Sequence, residues 1–215
     1  MTLPSEKLIT INDRAARTAT TFGSLSQGGG NMVFIKKLTA SSSATLSFVD
    51  GASSVVLDDT YKEYYFTFKD IHAATENTTF SFNVSIDAGS NYNVAKTTTA
   101  FRSVQNEEGS YTDLSYQAGL DLAQGTGFQP LNVNQNAHDD SGSAGYLHLF
   151  NPSSTTFVKH FIAQTNIMHN QSDPQFTMHV PTAGYANTTS AVDAIQFKMS
   201  SGNIDAGDIC LYGIL

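Results

Sequence analysis

The chain has 215 residues, 40% of them hydrophobic, which is enough to bury a core in one large domain without covalent staples. Its single cysteine, Cys210, excludes an intrachain disulfide framework and a thiolate metal cluster. A net charge of −8 with no basic stripe argues against nucleic acid and anionic membrane as partners, because both attract a basic field.

Residues 1–31 read as an arm. Leu8, Ile9, Ile11 and Phe22 are interspersed with Arg14 and Arg17, too few apolar groups for a core but enough to order against a partner. The stretch lacks the continuous apolar segment of a secretory leader, and no window of the chain reaches the length of a membrane-spanning helix. It ends in Gly28-Gly29-Gly30-Asn31, a flexible linker. Met32 could also be an alternative start, since the glycine codons before it can resemble a ribosome-binding site. The linker is the simpler reading.

From Met32 to Leu215 the pattern is that of strands. In "YKEYYFTFKDI" Tyr64, Phe66 and Phe68 share one face, with Glu63, Tyr65, Thr67 and Lys69 opposite. In "TTFSFNVSI" Phe80, Phe82, Val84 and Ile86 alternate with Thr79, Ser81, Asn83 and Ser85, predicting a strand with one wet face. "DAGSNYN" follows with turn residues, so a hairpin returning through "VAKTTTAF" is expected. Residues 118–145 are polar, Gly-rich and interrupted by Pro130, which predicts a long excursion that binds or buries something. "GYLHLF", "FVKHFIAQT", "QFTMHV", "AIQFKMS" and "DICLYGIL" complete about eight to ten strands by the usual spacing.

The expected fold is therefore all-β, an antiparallel two-sheet sandwich of jelly-roll-like kind over residues 32–215, preceded by the arm. Its core is expected to hold Phe66, Phe68, Phe80, Phe82, Val84, Ile195, Phe197 and Met199. The carboxyl-terminal "GNIDAGDICLYGIL" reads as a turn and a closing strand, with Gly202 and Gly207 supplying backbone freedom. Ile209, Leu211, Tyr212 and Ile214 are its candidates for packing or subunit contact.

Catalytic signals are weak. His138-Asp139-Asp140 is the most suggestive cluster among six histidines, but no zinc-protease, nucleophile-elbow or phosphate-loop motif is present. "DAGSNYN" lacks the acids of a calcium loop, and nothing local would activate Cys210 as a nucleophile. A non-enzymatic chain without cofactor or metal is expected.

The segments "FIKKLTASSSATLSFVDG", "TYKEYYFTFKDIHAATENTTFSFNVS", "SSTTFVKHFIAQT" and "IQFKMSSGNIDAGDICLYGIL" resemble the virion structural proteins of marine tailed bacteriophages, including those infecting cyanobacteria and SAR11-type hosts. The resemblance is carried by Tyr61 to Tyr64, Ile71-His72, Asn151 to Ser154, and Gly202 to Gly213. It implies a particle component assembled in the host cytoplasm and retained in the virion. Its partners would be other capsid or tail subunits and further copies of itself, a trimer being one such oligomer. Two roles follow: an accessory decoration subunit on the capsid, or a tail-fibre or spike module that binds a host-surface glycan. Aromatic residues in strands rather than loops favour decoration.

Overall fold

The computed structural model describes residues 31–169 and 175–215. Among these the chain forms thirteen strands and no helix: β1 (Met32–Ser43), β2 (Leu46–Val49), β3 (Glu63–Ala73), β4 (Phe80–Ser85), β5 (Lys96–Asn106), β6 (Thr112–Tyr116), β7 (Ala123–Gly125), β8 (Gln129–Pro130), β9 (Gly142–Phe150), β10 (Lys159–His169), β11 (Phe176–Ala186), β12 (Ala194–Met199) and β13 (Ile204–Ile214). They make two antiparallel sheets. The larger runs β1-β13-β3-β9-β10-β11-β5-β6, with β7 also on β5, and the smaller runs β2-β12-β4-β8. The all-β two-sheet arrangement expected from the alternation is present. Asn31 belongs to it, because its carbonyl accepts a hydrogen bond from the Leu215 amide at 2.8 Å.

Alternation explains the core. Every residue expected there is at most 4% exposed, joined by Phe48, Tyr64, Leu147, Leu149, Phe161, Ile209 and Leu211. Phe197 of β12 is the hub, with ring centroids 5.4 Å from Phe68, 5.6 Å from Phe66 and 5.8 Å from Phe80. Phe82 meets Phe161 of the larger sheet edge-on at 5.0 Å, so aromatic contacts lock the sheets face to face.

Three expectations need correction. Asp87 to Gly89 does reverse the chain, with Ala88 and Gly89 at positive φ, but no hairpin forms. β4 pairs with β12 and β8, whereas β5 pairs with β11, β6 and β7 in the other sheet. The physical reason is cross-strand packing: β4 sets Phe82 opposite Phe197 and Val84 opposite Ile195, partners that a Thr-rich β5 cannot match. Nor is the polar face of β4 wet, since Ser81, Asn83 and Ser85 are all buried.

The second correction completes the first. The excursion over residues 118–145 is interrupted by β7, β8 and the start of β9, and it buries something as expected: Gln129, Leu131, Asn132, Gln135 and Asn136 are fully buried. Their amides replace ladder bonds that the broken strands cannot supply. Asn132 Oδ1 accepts the Phe80 amide at 2.7 Å, Gln135 Nε2 donates to the Ile71 carbonyl at 2.5 Å, and Thr165 Oγ1 donates to the Leu131 carbonyl. The excursion buries itself.

Thirdly, the closing strand expected at the carboxyl terminus is β13, seated between β1 and β3 in the larger sheet, but only one of its two glycines lies in the turn. Gly202 sits in the turn, as expected, at φ 68°. Gly207 does not: it forms a bulge within β13, at φ 120°, where a Cβ would come within 2.6 Å of the Asp70 carbonyl oxygen.

Candidate functional site

The smaller sheet covers one face of the larger and leaves the other open. Period two sends alternate residues of every strand to that outer face, and antiparallel register lines them up. One row crosses seven strands: Phe34 opposite Tyr212, Tyr212 opposite Tyr65, Tyr65 opposite His148, His148 opposite Ile162, Ile162 opposite Ala183, and Ala183 opposite Thr99. Phe34 is 57% exposed and Ile162 46%. Beside the row lie Met32, Tyr146, Phe150 and Tyr185.

The rings contact one another as they would in a core, although one side of each faces solvent. Tyr65 lies 5.4 Å from Tyr146 and 5.3 Å from His148, His148 lies 4.6 Å from Phe150, and Phe34 meets Tyr212 at 5.7 Å. Burial within this cluster raises the Tyr65 hydroxyl above its ordinary pKa, with Tyr146 adding to the effect. Glu63 Oε2 lies 3.0 Å from His148 Nε2, and Lys37, paired with Asp208 at 3.3 Å, follows Phe34 at the next outward step of β1. A 550 Å³ depression opens nearby, between Phe150, His160, Ile162, Tyr185 and the Thr97 and Thr99 side of β5. An exposed apolar surface of this breadth is the mark of a contact surface.

Of the carboxyl-terminal candidates, Tyr212 and Ile214 lie on this face. Ile209 and Leu211 are fully buried and serve packing, so they are corrected from interface to core. Leu8, Ile9, Ile11, Arg14, Arg17 and Phe22 lie outside the described residues. Sequence reasoning missed Phe34, Ile162, Phe150 and Tyr185, whose signal was an apolar residue at the outward step of an alternating strand.

Further along the same outer face, past Ala144 and Asn166, the His138–Asp140 cluster borders a cleft of 670 Å³ with Asp70, His72 and Asp205. His72 Nδ1 is 3.5 Å from Asp205, its Nε2 is 3.0 Å from the His138 carbonyl, and His138 Nε2 is 3.9 Å from Glu76. Among the described residues no three His, Cys, Asp or Glu side chains converge as a metal site. Asp87, weighed as a calcium ligand, spends its carboxylate on Ser85 and Asn91 within its own turn, and the Asn91 and Ser85 bonds hold its pKa below the usual range.

No protein-family model, curated protein or solved structure matches the chain. What the geometry offers chemically is a broad, ring-studded stretch of sheet, bordered by an ion pair and an acidic cleft, that can bind another surface.

Proposed function

We propose that the chain is a non-enzymatic structural subunit of a tailed-bacteriophage virion, an accessory or decoration protein bound to the capsid through the outer face of its larger sheet. The observation that carries this reading is the row of outward side chains across seven strands, mostly ring-bearing or aliphatic from Phe34 to Ile162. The tailed-phage part of the reading rests on the resemblance read in the sequence around Tyr61 to Tyr64, Asn151 to Ser154 and Gly202 to Gly213. A jelly-roll-like sandwich suits such a subunit, and the arm of residues 1–30 would add a tether to a neighbouring capsid or tail subunit. Self-association into a symmetric oligomer such as a trimer would repeat the contact around a lattice position.

A second reading, a tail-fibre or spike module, draws on the depression beside Phe150, His160 and Tyr185. There His160 and Tyr185 rings 5.9 Å apart stand near threonine hydroxyls, a combination that can stack on and hydrogen-bond a sugar. Cryo-EM of intact particles separates the two. Density for this fold repeating over the capsid lattice supports decoration, density only at the tail tip supports the glycan reading, and particles without the subunit overturn both.

A further inference from the structure

Turning from the outer face to the interior, one buried polar contact joins the two sheets. Lys96 opens β5 of the larger sheet and Asn83 lies in β4 of the smaller, and neither exposes any surface. Lys96 Nζ is 2.5 Å from Asn83 Oδ1 and 2.8 Å from the Val94 carbonyl oxygen. These two oxygens are its partners, and neither belongs to a carboxylate. An ammonium carries three donors and needs a counter-charge when buried, whereas a neutral amine carries two donors and a lone pair. The site matches the amine, and burial brings the Lys96 pKa down to about 7.

The Asn83 side is equally specific. Its Oδ1 also accepts the Val84 amide at 2.8 Å, while Nδ2 faces three backbone carbonyls, Tyr92 at 2.6 Å, Thr126 at 3.0 Å and Gly127 at 3.3 Å. All donors converge on Oδ1 and all acceptors on Nδ2, so the carboxamide has one orientation. A carboxamide nitrogen has two hydrogens for those three carbonyls. A protonated leaving nitrogen would have three.

We propose that Lys96 and Asn83 are an intramolecular isopeptide-forming pair, in which Lys96 Nζ attacks Asn83 Cγ and ammonia is released. The extra proton of the ammonium form is left in solvent as folding buries the group. The Nζ–Cγ bond then forms as the carbonyl electron pair moves onto Oδ1, where the Val84 amide donates to the developing oxyanion. One proton passes from Nζ to Nδ2, the three carbonyls hold the protonated nitrogen, and the Cγ–Nδ2 bond breaks. A primary amide and an amine become a secondary amide and ammonia, with no change in oxidation state. Fixing the two groups in contact supplies the high effective concentration that amide exchange requires. The product is a covalent strut between the sheets, and it replaces a buried ionisable group with a neutral one. The inference does not depend on the assembly role.

Intact mass spectrometry of the full chain, followed by peptide mapping, tests it. The expected mass is one ammonia below the sequence mass, with a branched peptide joining Lys96 to Asn83. Lys96→Met and Asn83→Leu should each carry their full sequence mass, and closing the loop should raise the melting temperature of the linked chain by roughly 5–10 °C over its unlinked form. Wild-type protein that keeps its full mass after long incubation at neutral and mildly alkaline pH, yielding Lys96 in an unbranched peptide, overturns the proposal. So does an ammonia loss mapped to any other asparagine.

Discussion

Two parts of the interior hold this fold together by different physics. Around Phe197 the sheets meet through rings whose worth lies in area and shape, so near-equivalent apolar substitutes would serve. Around Asn83, Gln129, Asn132 and Gln135 the chain is just as buried, yet each side chain answers a particular backbone group. The first region needs hydrophobic bulk at alternate positions. The second needs one residue type at one place, because a lost amide leaves its partner desolvated and unpaired.

The largest effect should come from removing what both regions share. Deleting Asp208–Leu215 takes away most of the strand between β1 and β3, stranding two ladders and uncovering the core, so the product should be insoluble. Recovery of soluble protein with native circular dichroism would show that β13 is dispensable. Within the aromatic region, Phe82→Ala or Phe197→Ala should each lower the unfolding free energy by about 3–5 kcal/mol in urea titrations. An unchanged midpoint would remove either ring from the core.

In the amide region Asn132→Ala should lower stability by about 1–3 kcal/mol, because the Phe80 amide loses its acceptor in a dry site. The contrast sharpens if Asn132→Leu, which adds apolar volume, fails to restore stability. Were leucine to do so, the region would be an ordinary core with incidental polar atoms.

Charge distinguishes the regions further. Burial lowers the pKa of Lys96 to about 7 and depresses Lys159, which donates to the carbonyls of Ser154, Phe157 and Thr188. From pH 7 towards 10 the unfolded chain binds more protons than the folded one, so stability should rise with pH, by roughly 1 kcal/mol per unit for a free Lys96 amine. Protein whose Lys96 has become an amide should lose that share of the slope. Falling stability over this window would mean that neither lysine is desolvated as described.

The smallest effect belongs to Thr182, a buried hydroxyl whose Oγ1 has no hydrogen-bond partner. Thr182→Val should leave stability unchanged or raise it by about 1 kcal/mol, measured by calorimetry. A loss above that would reveal an unseen partner for the hydroxyl.

These two regions also mark what the sequence could disclose. Phe66, Phe68, Phe80, Phe82, Ile195 and Phe197 were legible because alternation is a local property and large rings have few alternatives to burial. The burial of Ser81 and Asn83 was not, since alternation says which residues share a face but not what covers it, and the cover comes from a polar stretch some forty residues away. Turn chemistry at Asp87–Gly89 predicted the reversal but could not choose the strand's partner, a choice made by Phe197. On the candidate site, Tyr212 and Ile214 were found because they follow a strong strand signal. Phe34 and Ile162 read as ordinary strand residues until register aligned them with Tyr65 and His148.

The outer face is the central functional claim, and replacing its two most exposed members of the seven-strand row that are apolar tests it most directly. Full-length protein carrying Phe34→Lys and Ile162→Lys should melt within a few degrees of wild type, since both side chains already face solvent. When each protein is added to particles lacking the subunit and bound material is counted by cryo-EM, wild type should rebind and the double variant should not. A double variant that decorates particles as fully as wild type would contradict the account and leave attachment to some other surface of the chain.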